Sequence, residues 1–238
     1  MTELNYEILV KLSNTLLQAI SKRDSDPFYH LGKIEAKNIA RYIIKNMPKA
    51  QQFVSDEGVL FRAVSLIGNT EGINAEFGVY TGNSINFLAN LMPDRIIYGF
   101  DSFEGLKEDW HGTNLSKQAF DLQGITPTVN KNVTLIKGWF QDTLNGFHES
   151  NSIPKPIKYR FVHIDCDTFD SSYYVLSQIK EFLQEGTIIV FDDYFIGRNW
   201  KNGEYLAWKM ISKEKEIKFD YVAYSPNSAA IKITQINR

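Results

Sequence analysis

A single cysteine, Cys166, stands in a chain of 238 residues. One thiol cannot close an internal disulfide or build a thiolate zinc site, and it suits a reducing compartment. No apolar run approaches the roughly 20 residues that a membrane-spanning helix needs. A secretory leader is not expected, because Glu3, Lys11, Asn14 and Gln18 break the apolar stretches of the first residues. Together these absences predict a cytoplasmic protein without a membrane partner. Charge of one sign is missing too: 26 basic and 28 acidic residues leave a net charge of −2. A polyphosphate partner favours a basic excess, so nucleic acid is not expected as a partner. There is no internal repeat and no low-complexity tract. What the chain does have, 43% hydrophobic and 23% charged residues, is enough to bury a core and speaks against disorder.

The hydrophobic period changes near residue 70. Before it, Leu4, Ile8, Leu9, Leu12, Leu16, Leu17 and Ile20 recur at three- and four-residue intervals. Ile39, Tyr42 and Ile43 repeat the pattern, and Pro27 and Pro48 separate the segments. This predicts an N-terminal helical cap over 1–70. From 71 to 238 we expect one α/β unit, with strands at Ile73–Val79, Ile96–Phe100, Val133–Ile136, Phe161–Ile164 and Thr187–Phe191. Strands alternating with helices argue for a parallel sheet with right-handed crossovers. Phe219–Tyr224 and Ala229–Thr234 flank only Ser225-Pro226-Asn227-Ser228, too short a link for a parallel crossover, so they should form an antiparallel hairpin. The predicted fold is a mostly parallel, seven-stranded sheet ending in a hairpin. That order resembles the Rossmann-like fold of class I methyltransferases.

Glu76-Phe77-Gly78-Val79-Tyr80-Thr81-Gly82-Asn83-Ser84 follows the first of these strands and opens a helix. Glycines let a backbone approach a ligand, and a helix start offers free N–H groups. Gly78 and Gly82 are four apart, which does not give the Gly-x-Gly-x-x-Gly that wraps a pyrophosphate. A carboxylate at Glu76 repels phosphate but suits a cationic ligand such as S-adenosylmethionine, whose carboxylate could sit by Ser84. The alternative is a tight turn with a solvated glutamate. Asp101, beside Ser102 at the end of strand two, stands where an acid accepts bonds from ribose hydroxyls; the alternative is a turn aspartate. After strand three, Trp139 and Phe140 can flank an adenine, and Gln141 or Asp142 can bond its polar edge. The same two aromatics could instead simply pack.

Asp165 and Asp167 end strand four, and Asp192, Asp193 and Tyr194 end strand five. In a parallel sheet both sets reach the ligand-binding edge, and converging carboxylates need protons or a hard cation. Asp165, Asp192 and Asp193 are the first choice as ligands of Mg²⁺, with Asp167 the runner-up. The competing reading makes these acids helix N-caps, a role that Asp167 or Asp170 would fit better than Asp165. A divalent ion would orient a hydroxyl acceptor and lower its pKa, and a neighbouring aspartate would take the proton. His163 is expected to be a packed strand residue. The long polar stretch 102–130 suggests a lid over the acceptor, with Trp110 and His111, and Tyr194 from the end of strand five, as candidate contacts; the alternative is a disordered insertion.

Taken together the motifs resemble the macrocin O-methyltransferase (TylF-like) family. The resemblance rests on Glu76-Phe77-Gly78-Val79-Tyr80-x-Gly82, Asp101-Ser102-Phe103-Glu104-Gly105-Leu106, Gly138-Trp139-Phe140-x-Asp142-Thr143-Leu144, Asp165-x-Asp167-x-Phe169-x-Ser171 and Asp192-Asp193-Tyr194. It implies S-adenosylmethionine and Mg²⁺ as cofactors, Asp165 as metal ligand and general base, and Asp192 and Asp193 as the other ligands. It also implies a homodimer, N-terminal helical additions and a mobile lid. The acceptor is then a sugar hydroxyl, on a nucleotide-sugar, a surface-polysaccharide precursor or a glycosylated natural product. Phe169 stands where tyrosine is common in the family, and His163 where arginine or another residue often lies. The rivals are a catechol-type O-methyltransferase, which commonly shows Asp-Asn where this chain has Asp192-Asp193, an NAD-linked oxidoreductase, and a non-enzymatic binding domain that kept the fold.

Overall fold

In a computed structural model of the chain, residues 3–110, 113, 115–197 and 200–237 are described. The chain divides into two compact units, Met1–Asn46 and Met47–Arg238. The first is a pair of helices, α1 (Glu3–Asp24) and α2 (Pro27–Asn46). Pro27 takes the first helical position of α2, where its missing N–H costs nothing, and the Asp26 carboxylate accepts the N–H of Phe28 at 2.8 Å. No described residue of α2 is buried.

The second unit is an α/β sandwich. Its elements run β1 (Gln51–Gln52), α3 (Asp56–Ser65), β2 (Ile73–Phe77), α4 (Asn83–Leu91), β3 (Ile97–Asp101), β4 (Val133–Lys137), α5 (Phe140–Glu149), β5 (Tyr159–Ile164), α6 (Phe169–Ile179), β6 (Ile188–Phe191), α7 (Glu204–Glu214), β7 (Ile217–Tyr224) and β8 (Ala229–Ile236). The sheet order is β1-β7-β8-β6-β5-β2-β3-β4. Pairing is parallel from β6 through β4, and antiparallel where β8 meets β6 and β7. The Rossmann-like sheet with its terminal hairpin is therefore present. Beyond the seven expected strands there is the two-residue β1, parallel to β7 at the edge. Two glutamines carry no strand signal of their own; the free edge of β7 recruits them.

β2, β5 and β6 are buried along their whole length, as strands covered on both faces must be. α3 and α4 form part of that cover: Val59, Leu60, Ala63, Ile85 and Leu88 enter one core cluster with Phe161, Ile188 and Val190. The strand order reverses between β2 and β5, and ligands of such sheets bind in the crevice at that switch point. Three backbone bonds tie the strand ends together there. The N–H of Gly78 donates to Phe100, that of Asp165 to Phe77 and that of Asp192 to Ile164, each at 2.9 Å. The segment 102–130 is anchored rather than free where it is described: the N–H groups of Leu122 and Gly124 donate to Phe103, and Asn130 donates to the side chain of Asn86 at 2.8 Å.

Candidate active site

The turn after β2 is built around Gly78, which has φ +94°, and a Cβ there would lie 1.7 Å from the carbonyl oxygen of Asp165. Only glycine lets β2 and β5 close at this point. Asp101 then fastens the turn. Its Oδ2 accepts the N–H groups of Val79 and Tyr80 at 2.7 and 2.8 Å, and its Oδ1 accepts that of Phe103 at 2.7 Å. Asp101 is thus the clamp between the first two strand ends.

A pocket opens beside this clamp. Its wall includes Gly78, Asp101, Ser102, Trp139, Phe140, Gln141, Asp165 and Asp167. Lys107 spans its rim, donating to Gln141 Oε1 at 2.7 Å and lying 4.9 Å from the centre of the Trp139 ring. Phe140 also packs edge-on against Phe77 in the core, so its packing reading holds, while its ring still borders the pocket. Thr81 and Ser84 line an adjoining opening together with Asp165 and Asp192. Gly82, at φ +84°, turns the chain into α4. Asp142 lies exposed in the first turn of α5 and is not on the wall of the pocket.

Glu76 sits beneath this surface. It is fully buried, accepting Ser84 Oγ on Oε1 at 3.0 Å and meeting His163 Nδ1 through Oε2 at 3.0 Å. Glu76 and His163 are register partners on adjacent parallel strands, which puts their side chains on one face. His163 Nε2 in turn stands 3.5 Å from Asp192 Oδ1. The strand histidine is packed in the sheet, as expected, and it also joins Glu76 of β2 to the acid cluster.

The acids fall into two overlapping groups, His163 with Asp165 and Asp192, and Asp165 with Asp167 and Asp193. Asp165 belongs to both. None of these acids is spent as a helix cap: Thr168 caps α6, accepting the N–H of Ser171, which removes the competing role for Asp167 and Asp170. Asp167 has φ +61°, a turn that points the chain out of β5. Burial, then the Asp192 carboxylate, pushes Asp165 well above the usual carboxylate range. Burial and Asp165 push Asp167 up to about 8. Burial and Asp167 raise Asp193. Burial alone would lower His163, but its facing partners Asp192 and Glu76 outweigh it and hold the imidazole well above its ordinary value.

Such a set fits a divalent cation. Apart from His163 its donors are hard carboxylate oxygens, and Oδ2 of the buried Asp193 has no hydrogen-bond partner. Asp193 and Asp167 also floor a second cleft, of about 330 Å³, walled by Trp110, Phe169 and Trp200. Tyr194 does not face that cleft; it is fully buried, its hydroxyl 2.5 Å from that of Tyr221. His111 lies outside the described residues.

Residues 75–194 match the family model described as a methyltransferase domain. The chain belongs to this family. Three solved structures share the fold of this methyltransferase. The calicheamicin methyltransferase CalS11 is 19% identical, with 87% of this chain and 93% of that chain covered and a TM-score of 0.58. The O-methyltransferase NovP is 17% identical, with 75% and 79% covered and a TM-score of 0.55. An O-methyltransferase from Bacillus cereus is 14% identical, with 92% and 96% covered and a TM-score of 0.50. No curated protein matches the chain. No helix among the described residues is long and apolar enough to cross a membrane.

One member of the methyltransferase site carries no sequence signal. Glu204 opens α7, a position that reads as an ordinary acidic first-turn residue. It is fully buried, and its Oε2 accepts the N–H of Asp193 at 3.0 Å, fixing the turn after β6. Burial, then the Asp193 charge, raises its pKa well above the usual range.

Proposed function

We propose that this methyltransferase transfers the methyl group of S-adenosylmethionine to a sugar hydroxyl with the help of a divalent cation such as Mg²⁺, in the manner of the TylF-like enzymes. One observation carries the reading: Asp167 borders both the aromatic-walled pocket and the second cleft, with Asp165 beside it, so donor and acceptor would meet at the acids. The relatives add support. One CalS11 structure is titled a TDP-rhamnose 3'-O-methyltransferase, and the Bacillus cereus enzyme was solved with S-adenosylhomocysteine.

Trp139, Phe140 and Gln141 would hold the adenine, Asp101 and Ser102 the ribose, and the turn from Gly78 to Ser84 the amino-acid end. Asp165 would hold the cation with Asp192, or with Asp167 and Asp193; among the described residues no single donor group contains Asp165, Asp192 and Asp193 together. When bound, the cation polarises a hydroxyl and the cofactor supplies a methyl group on a sulfonium. Asp165 would take the hydroxyl proton. Trp110 and Phe169 would offer aromatic faces to the apolar side of a sugar ring. The same reading includes a cytoplasmic homodimer.

Calorimetric titration with S-adenosylhomocysteine, followed by a methyl-transfer assay over saccharide and catechol acceptors, tests the proposal. Asp165→Asn should lower kcat by about 10²–10⁴-fold while S-adenosylhomocysteine affinity changes only a few-fold. Unchanged turnover in that variant would remove Asp165 from the chemistry. Methylation of catechols in preference to every saccharide would replace the sugar assignment. Absence of nucleoside binding would overturn the whole reading.

A further inference from the structure

We infer that His163 is itself a ligand of the catalytic cation, so that the site takes a transition-series divalent ion in preference to Mg²⁺. The inference rests on the methyltransferase reading for its setting and goes beyond it in assigning a nitrogen donor. His163 is fully buried in β5, and its ring cannot turn toward water. Nδ1 is taken by Glu76 Oε2 at 3.0 Å, whereas Nε2 is buried and makes no hydrogen bond. Nε2 points at Asp192 Oδ1, 3.5 Å away, and donor atoms of His163, Asp165 and Asp192 all lie within 4.8 Å of one another.

Two features of this geometry favour a metal over an ion pair. An imidazolium hydrogen-bonded to a carboxylate closes to about 2.7–2.9 Å. Two atoms bound to one ion at about 2.1 Å and near a right or tetrahedral angle stand roughly 3.0–3.5 Å apart. Nε2 and Oδ1 have the second spacing. In addition, metal-bound histidines commonly give their other N–H to a carboxylate, which fixes the tautomer, and an ion bound at Nε2 would displace the proton that the facing acids otherwise hold there. Glu76 is that carboxylate, and Ser84 Oγ holds it at 3.0 Å from the other side. A buried acid on a strand that does not reach the pocket thereby acquires a purpose. An imidazole donor added to carboxylates shifts preference away from Mg²⁺, which favours oxygen and water, toward Co²⁺, Fe²⁺ or Zn²⁺.

The test uses the full chain. Pulsed electron paramagnetic resonance of the Mn²⁺-loaded, cofactor-free protein should show the hyperfine coupling of a directly bonded imidazole nitrogen. Calorimetry should give Co²⁺ an affinity roughly ten-fold or more above that of Mg²⁺. In His163→Asn the nitrogen coupling should vanish and Co²⁺ affinity fall by about 10–100-fold. S-adenosylhomocysteine titration of both proteins reports folding and the donor site separately. Wild-type protein that binds S-adenosylhomocysteine but shows no nitrogen coupling overturns the assignment and leaves His163 an ion-pair partner of an all-oxygen site. Wild-type protein that binds no S-adenosylhomocysteine overturns the methyltransferase reading instead, whatever the metal signal. Should His163→Asn fail to fold, the wild-type spectrum alone decides.

Discussion

Gly78 and Asp101 hold opposite sides of one turn, and each acts through a contact with the backbone of another strand. The Cβ of Gly78→Ala would collide with the Asp165 carbonyl, and the positive φ adds strain. That substitution should cost more than about 3 kcal/mol in chemical denaturation and abolish S-adenosylhomocysteine binding. Gly146 in α5 is the control: nothing lies within 4 Å of its added Cβ, so Gly146→Ala should stabilise by about 0.5–1 kcal/mol. The glycine motif was legible as a turn between strand and helix. That its first glycine is demanded by β5, 87 residues on, was not, because the contact exists only once the strands are side by side.

α5 and β5 meet at a titratable contact far from the acids. The half-buried His148 faces the Tyr159 hydroxyl at 2.8 Å; burial, then nearby Lys155, depresses its pKa to about 4 from 6.5. Between those values the unfolded chain binds a proton at this position that the folded chain does not. Stability contributed here is therefore full above about 6.5 and lost as the pH falls toward 4. Solvent screening at this position reduces the effect to roughly 1–2 kcal/mol. Urea unfolding of wild type and His148→Gln across this range should show a shallower pH dependence in the variant. Equal slopes would show that the histidine titrates alike in both states. The strands themselves were readable to within a few residues, since buried strands announce themselves by continuous apolar runs. β1 was not, because its two glutamines are strand only by pairing with β7.

Unit Met1–Asn46 has little of its own to bury. Leu12, Leu16 and Leu17 of α1 are 56%, 62% and 61% exposed, and Ile8, Leu9 and Ile20 extend the same apolar stripe. The proposed homodimer gives this stripe a partner, since monomers rarely leave large contiguous apolar patches in water. Leu12→Lys with Leu16→Lys should convert the dimer to a monomer in light scattering. A wild-type protein that is monomeric at every accessible concentration would remove the dimer.

By itself the sequence determined the order of elements, the terminal hairpin and the two strand-end acid sets. These follow from hydrophobic period, link length and residue chemistry, all of which are local. The tertiary structure decided which acids share a space. Asp165 belongs to two groups because β5 lies beside β6, a pairing no local pattern encodes. It also decided that Glu76, which reads as a ligand contact, is buried against His163, and that Glu204 braces Asp193. The reason is register: charge and burial at one position depend on which residue the neighbouring strand or helix sets opposite it, and that is a property of the packed sheet.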